Sequence, residues 1–369
     1  MDWSGRSRYR GGMILRAEFV RGIRTVVATL VCLAAWGLTA GAGAQDLSQP
    51  GPRTASQRGV TVVRADGSSF AATVHYPATA AAGGSAVDAA NGPYPIVAFG
   101  HGFVTPVGRY ASTAAHLATW GFIVVLPETQ GSLLPSHSAF ADDLVSALDW
   151  FAAQGAASGS PWSGAVAPER RAVMGHSMGG GCALIAADRD PTIRCVVPLA
   201  AAETNPSSTG ACLGVSAATR IINGSQDTIV SPATNDPMFA NLRGPAQLVT
   251  VTGGFHCGFI DSSILFCDSG SISRSAQLAI VRREITEFLR LYLAGDGTRW
   301  DAVWGAPLPA DGVTQQGRQT PDLDGDGRVD GIDLGLMLAN WGNPGRGDLD
   351  GDGVVSGTDL GQMLAAWSG

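Results

Sequence analysis

The 369-residue chain has no lysine, and all 24 of its basic residues are arginines. Charged residues make up only 15% of the whole, and outside the N-terminus no run of basic residues occurs. This excludes a nucleic-acid binder with a basic face, and no nucleic acid is expected as a partner. Long apolar runs are equally scarce: after residue 44 none is long enough for a membrane span, so none is expected in the mature chain. Disorder is excluded by an apolar content of 45%, which is that of a globular protein with a core. The charge is spread unevenly. Residues 1–321 carry 22 arginines and 22 acidic residues, whereas residues 322–369 carry nine aspartates and two arginines, so the net charge of −7 resides at the C-terminus. That skew predicts a separate acidic module and a cation or partner bound to it.

The one long apolar run follows Arg16, Arg21 and Arg24 and ends in Ala42-Gly43-Ala44, a small-x-small cleavage pattern. Residues 1–44 are expected to be a secretory signal peptide, the alternative being a short membrane anchor. The mature chain is then secreted, periplasmic or at the cell surface, where disulfides form. Five cysteines follow the signal. Cys257 and Cys267, close together across a Gly/Ser-rich loop, are expected to bridge. Cys195 with Cys212 is a weaker second pair, and Cys182 is expected as a buried free thiol.

Two β-like runs, 60–64 and 69–77, flank an Asp66-Gly67 hairpin signal. Apolar strands then alternate with amphipathic helices. Strands are predicted at 95–100, 122–127, 171–175, 193–200, 219–224 and 246–253, and helices near 109–120, 139–154, 178–188 and 273–294. In the second helix Phe140, Leu144, Ala147, Leu148 and Phe151 recur at helical spacing, with Asp142, Asp143 and Asp149 assigned to the opposite face. Alternating strands and helices predict an α/β fold, a mostly parallel sheet with helices on both faces. Residues 295–320, Gly- and Pro-rich and without periodicity, are expected to be a linker, with Trp300 and Trp304 packing back on the domain.

Gly175-His176-Ser177-Met178-Gly179 matches G-x-S-x-G, with a strand running in and a helix running out. Such a turn lifts a serine hydroxyl clear of the sheet, and its glycines relieve backbone crowding. A serine needs a base, and the base needs an orienting carboxylate. In chain order the aspartate comes next and the histidine last, each just past a strand end. Asp227 and His256 meet that requirement, and His256 is the only histidine after Ser177. Glu203 and Asp236 are the alternatives for the carboxylate. Oxyanion N–H donors are expected from Met178 and from Phe103, in the loop Gly100-His101-Gly102-Phe103. His101 is read as holding that loop and His176 as a packing residue.

On these stretches, together with INGSQDTIVSP at 222–232 and TGGFHCGF at 252–259, residues 57–294 resemble the α/β-hydrolase superfamily. More narrowly, they resemble its dienelactone-hydrolase-like and cutinase-like secreted esterases, which include bacterial polyester hydrolases. The resemblance implies an α/β-hydrolase fold and acyl transfer from a carboxylic ester through an acyl-enzyme. It gives Phe103 a second role as a wall of the acyl site. Polyester-cleaving members carry a Trp shortly after the strand equivalent to 193–200, where this chain has Ala200, Ala201 and Ala202, a departure that bears on aromatic-polyester activity.

The acidic tail contains a repeat: Asp322–Asp333 and Asp348–Asp359 are copies 26 residues apart, each followed by the same helical run. Carboxylates at loop positions 1, 3, 5 and 12, with Gly at 6, supply hard oxygens for Ca²⁺. In the first copy these are Asp322, Asp324, Asp326 and Asp333, with the Arg328 carbonyl and Asp330. In the second they are Asp348, Asp350, Asp352 and Asp359, with the Val354 carbonyl and Ser356. Asp rather than Glu at position 12 and no helix entering the first loop make residues 321–369 resemble a dockerin repeat. That resemblance implies a small all-α calcium-binding domain holding two Ca²⁺ and docking to a cohesin-like protein. The leading expectation is thus a secreted serine esterase, lipase or cutinase-like enzyme that needs no cofactor for catalysis. A serine peptidase or acyltransferase on the same fold is one alternative, and a non-catalytic scaffold or adhesion subunit is another.

Overall fold

The computed structural model describes residues 1–2, 45–79, 85–325 and 328–369, so nearly all of the expected signal segment lies outside the described residues, as does Asp326. The chain divides into two units, Met1–Asp46 and Leu47–Gly369, and the second holds the sheet and both candidate sites. Among the described residues no helix is long and apolar enough to cross a membrane.

Among the described residues nine strands form one sheet: β1 (Thr54–Val63), β2 (Ser69–Ala78), β3 (Tyr94–Gly100), β4 (Ile123–Pro127), β5 (Val166–His176), β6 (Ile193–Leu199), β7 (Ala218–Gly224), β8 (Ala246–Val251) and β9 (Val313–Arg318). Their order is β1-β2-β4-β3-β5-β6-β7-β8-β9. From β4 to β8 all neighbours are parallel. β1 and β2 pair antiparallel at one edge and β9 pairs antiparallel with β8 at the other. The helices are α1 (Ala111–Thr119), α2 (His137–Ala156), α3 (Met178–Arg189), α4 (Ser208–Ala211), α5 (Asp236–Asn241), α6 (Arg274–Tyr292), α7 (Trp300–Trp304), α8 (Gly331–Ala339) and α9 (Gly357–Ala365).

Alternate residues of the central strands face opposite cores, as the period of a pleated strand requires. Val97 and Phe99 pack with Leu117, Ile285 and Phe288 of α1 and α6, while Ile96 and Ala98 pack with Phe140, Leu144 and Leu184 of α2 and α3. Both faces are covered, which is why the middle strands read as continuous apolar runs. At the hairpin between β1 and β2, Gly67 adopts φ 84°, a value a side chain disfavours.

Three expectations are corrected. Asp143 does not face solvent: it is buried against Arg64, 2.7 Å away. Cys195 and Cys212 are both buried free thiols, as is Cys182, whereas Cys257 and Cys267 are bridged. The stretch 295–320 is built into the fold: α7 stacks Trp300 on Trp304 at 5.7 Å, and β9 extends the sheet. The Val303 carbonyl there accepts from Arg220 (2.9 Å), Gln247 (2.7 Å) and Gln315 (3.0 Å). The fully buried Arg220 also pairs with Glu284 of α6 at 2.7 Å. A buried guanidinium is tolerable only with its donors so occupied.

The C-terminal repeat folds as a crossed pair. Gly342 at the end of copy one donates to Val355 O of copy two at 2.9 Å, and Ser368 at the end of copy two donates to Val329 O of copy one at 3.0 Å. Met337 and Met363 are wholly buried between the copies and join the core of the enzyme face that holds α6. Leu323 is buried in that same cluster, and Arg346 lies 4.2 Å over the Trp300 ring.

Candidate active site

β5 runs into Gly175-His176-Ser177 and α3 begins at Met178, so Ser177 occupies the turn between them. Its backbone sits at φ 56° and ψ −119°. A non-glycine residue there costs of order 1–3 kcal/mol and persists only where its surroundings enforce it. They do: Ser177 N–H donates to Leu199 O at 2.9 Å, and Ser177 O accepts from Gly180 and Ala202, both at 3.0 Å. The glycines of the motif are steric necessities. A Cβ on Gly175 would lie 2.2 Å from Gly179 O, and one on Gly179 would lie 2.1 Å from Gly100 O.

The loop after β3 is pinned beside this turn. The His101 ring bridges Gly102 O (2.8 Å) and Thr129 O (2.7 Å), in keeping with a loop-holding role. Gly102 N–H donates to the Tyr110 hydroxyl at 2.9 Å, which meets His176 Nδ1 at 3.0 Å. Phe103 and Met178 both border the same cleft as Ser177. Met178 opens α3, where the first N–H groups lack intrahelical acceptors.

Asp227 follows β7 and His256 follows β8, and the Asp227 carboxylate accepts from His256 Nδ1 at 2.7 Å. Its other oxygen accepts from Ile229 N–H (2.9 Å) and Val230 N–H (2.7 Å). With Nδ1 committed to the carboxylate, Nε2 is the ring nitrogen not engaged by Asp227. His256 and Ser177 line a common cleft of about 600 Å³ with Gly102, Phe103 and Ile229. His176 stacks against His256 at 4.4 Å between ring centroids. Burial, and then the neighbouring His256, push the His176 imidazole well below its usual range. Of the alternative carboxylates, Glu203 borders the cleft but is tied to Ser208 and Thr209, and Asp236 begins α5.

Sequence reasoning missed the residues that hold the loop of His256. Buried Gln277 of α6 accepts Phe255 N–H and donates to Phe255 O, both at 2.9 Å. Arg274 donates to Cys257 O at 3.0 Å, and the Asp268 carboxylate accepts the N–H groups of both His256 and Cys257 at 2.9 Å. Asp268 directly follows a cysteine expected to bridge, which was the one available hint. Gln277 gave none. The cleft has an apolar rim in which Leu134 is 92%, Leu265 79% and Phe266 88% exposed. A cavity of similar size, about 630 Å³, lies elsewhere, among Pro168, Arg171, Pro245 and Asp322, with no histidine in its wall.

The fold and these strand-end positions define the α/β-hydrolase class. Residues 46–266 match the PETase family, described as PET hydrolase-like, and the chain belongs to that family. It is an enzyme, a carboxylic ester hydrolase. Over 234 residues it is 27% identical to a bis(hydroxyethyl) terephthalate hydrolase of Streptomyces coelicolor, covering 60% of this chain and 72% of that protein. Cutinase cut1 of Thermobifida fusca is 28% identical over 63% of this chain and 70% of its own length. Cutinase est2 of Thermobifida alba is 28% identical over 53% of this chain, and the match spans 58% of that protein.

In the C-terminal repeat, carboxylate oxygens of Asp322, Asp324 and Asp333 come within 4.8 Å of one another, as do those of Asp348, Asp350 and Asp352. Asp359 stands apart from this second set: its oxygens accept from Leu349 (2.7 Å), Asp350 (3.2 Å) and Ser356 (2.7 Å) N–H groups. Asp333 makes the equivalent bonds to Leu323, Asp324 and Asp330. Asp330 and Ser356 cap α8 and α9, accepting from Ile332 N–H and Thr358 N–H. Arg328 and Val354 lie exposed at position 7, and Val354 N–H donates to Asp352 at 2.8 Å.

Proposed function

We propose that this protein is a secreted serine esterase of the cutinase type, acting through Ser177, His256 and Asp227. The observation that carries the reading is the 2.7 Å bond from His256 to Asp227 beside a cleft that Ser177 also lines. His256 takes the Ser177 proton as the hydroxyl attacks the ester carbonyl, and Asp227 stabilises the imidazolium that forms. The N–H groups of Phe103 and Met178 hold the oxyanion, each such donor being worth about 3 kcal/mol. His256 then protonates the departing alcohol, and water, deprotonated by the same imidazole, releases the acid from the acyl-enzyme.

Named polyester-related relatives and an apolar cleft rim favour esters with apolar acyl groups, including polyesters. Ala200, Ala201 and Ala202 stand where polyester-cleaving members carry Trp, which favours aliphatic over aromatic acyl chains. A panel of p-nitrophenyl esters of rising chain length, run beside aliphatic and aromatic polyester films, tests this. Full activity on amides with none on esters would overturn it in favour of the peptidase alternative. Secretion is supported by the Cys257–Cys267 bridge, which suits an oxidising compartment. N-terminal sequencing of the exported protein tests cleavage after Ala44.

For residues 321–369 we propose a dockerin-like module that binds two Ca²⁺ and docks to a cohesin-like partner. Two sets of three converging carboxylates offer hard oxygen donors, which fit that ion. Asp322, Asp324 and Asp333 would hold one and Asp348, Asp350 and Asp352 the other, with Asp326, outside the described residues, completing the first. Bound calcium would offset the mutual repulsion of these carboxylates and take no part in ester cleavage. Calorimetric titration should give two sites, and pull-down with a cohesin should be reversed by EDTA. Absence of calcium binding would overturn the module's assignment.

A further inference from the structure

We infer that Asp268 is a positioning residue for the reaction, locking the acid and base loops in mutual register. The inference rests on the assignment of Ser177, His256 and Asp227 made above. One oxygen of Asp268 accepts from His256 N–H at 2.9 Å and from Thr228 N–H, the residue after Asp227, at 3.2 Å. The other accepts from Cys257 N–H at 2.9 Å. A single carboxylate thus joins the backbone of the base to that of the acid's neighbour. Three converging donors need an acceptor-only group, and an ionised carboxylate is the side chain that supplies one. An amide of the same shape would turn an N–H toward these N–H groups.

The surroundings hold Asp268 in place from both sides. The Cys257–Cys267 bridge ties its preceding residue to the residue after His256. Three residues on, Ser271 N–H donates to Gln226 Oε1 at 2.7 Å, beside Asp227. Asp268 does not line the cleft, where Ser177 and His256 do. Its influence on substrate therefore passes through His256, whose ring direction sets the path of the proton. Displacements of about 1 Å at such a centre cost up to about 100-fold in rate.

The test uses the full chain with Asp268→Asn, Asp268→Ser, the Cys257→Ser/Cys267→Ser pair, and Ser177→Ala. Hydrolysis of a soluble p-nitrophenyl ester is measured, with active sites counted by the end point of fluorophosphonate labelling, so that kcat refers to folded enzyme alone. For Asp268→Asn we expect kcat per labelled site to fall about 10- to 100-fold with KM within about twofold. Asp268→Ser should behave alike and serves if the asparagine variant does not fold. The serine pair, which keeps the carboxylate, should lose less. Unchanged kcat per labelled site in the Asp268 variants would overturn the inference, as would a serine pair that reproduces their full loss. If Ser177→Ala stays active, the nucleophile assignment itself fails, an outcome separate from either.

Discussion

The two candidate sites are both built from aspartates, and they use them in opposite ways. Around Asp227 and Asp268 every carboxylate meets donors: backbone N–H groups and an imidazole, at 2.7–3.2 Å. In the repeat, carboxylates face one another within 4.8 Å, although Asp333 and Asp359 each also accept three backbone N–H groups and Asp348 accepts two. Folding alone completes the first arrangement. The second brings like charges together, which the proposed calcium would offset. The catalytic site should therefore be indifferent to calcium, and the repeat should depend on it.

Four experiments sharpen or break that contrast. The largest effect should come from Ser177→Ala, which should lower kcat/KM on a soluble ester by about 10⁴-fold or more with an unchanged melting profile. Asp227→Asn should follow closely, at about 10³- to 10⁴-fold, because His256 loses the partner that fixes its tautomer. Next, calcium at about 100 times its dissociation constant should stabilise the repeat by about 2.7 kcal/mol, seen as a higher melting temperature that EDTA reverses. Ester turnover should change less than about twofold in the same comparison. A calcium-dependent kcat would mean that the two sites are energetically joined. The smallest effect on turnover should belong to Phe266→Ser. Its exposed ring lies on the cleft rim, so hydrolysis of a soluble ester should hold while adsorption to a polyester film drops.

The hydrolase fold and the meeting of Asp227 with His256 were legible because their elements carry strong local signals. Apolar strands buried on both faces, the G-x-S-x-G turn and the chain order of Asp227 and His256 each follow from backbone geometry. What escaped was held by long-range or polar contacts. β9 reads Val-Thr-Gln-Gln-Gly-Arg, an edge strand with no buried stripe, and becomes a strand only because β8 offers an open edge. Gln277 is an unremarkable helix residue until Phe255 arrives beside it. Asp143 looked solvent-facing because its partner, Arg64, is 79 residues away in the chain. In the repeat, spacing revealed the carboxylates. It could not reveal that Asp359 would turn toward backbone N–H groups and leave the other three to converge.

The strand β9 also settles a matter of mechanics. A module hung on a Gly- and Pro-rich tether sweeps a large volume, and its enzyme searches independently of whatever anchors it. Here the chain leaves the sheet through a hydrogen-bonded edge strand, and Leu323 and Arg346 seat the repeat against the α6–α7 surface. The attachment is a bracket and not a leash. A partner of the proposed kind, gripping the repeat, would fix the direction in which the cleft of Ser177 points, and freedom to scan the proposed polymeric ester would have to come from the partner's side of the joint.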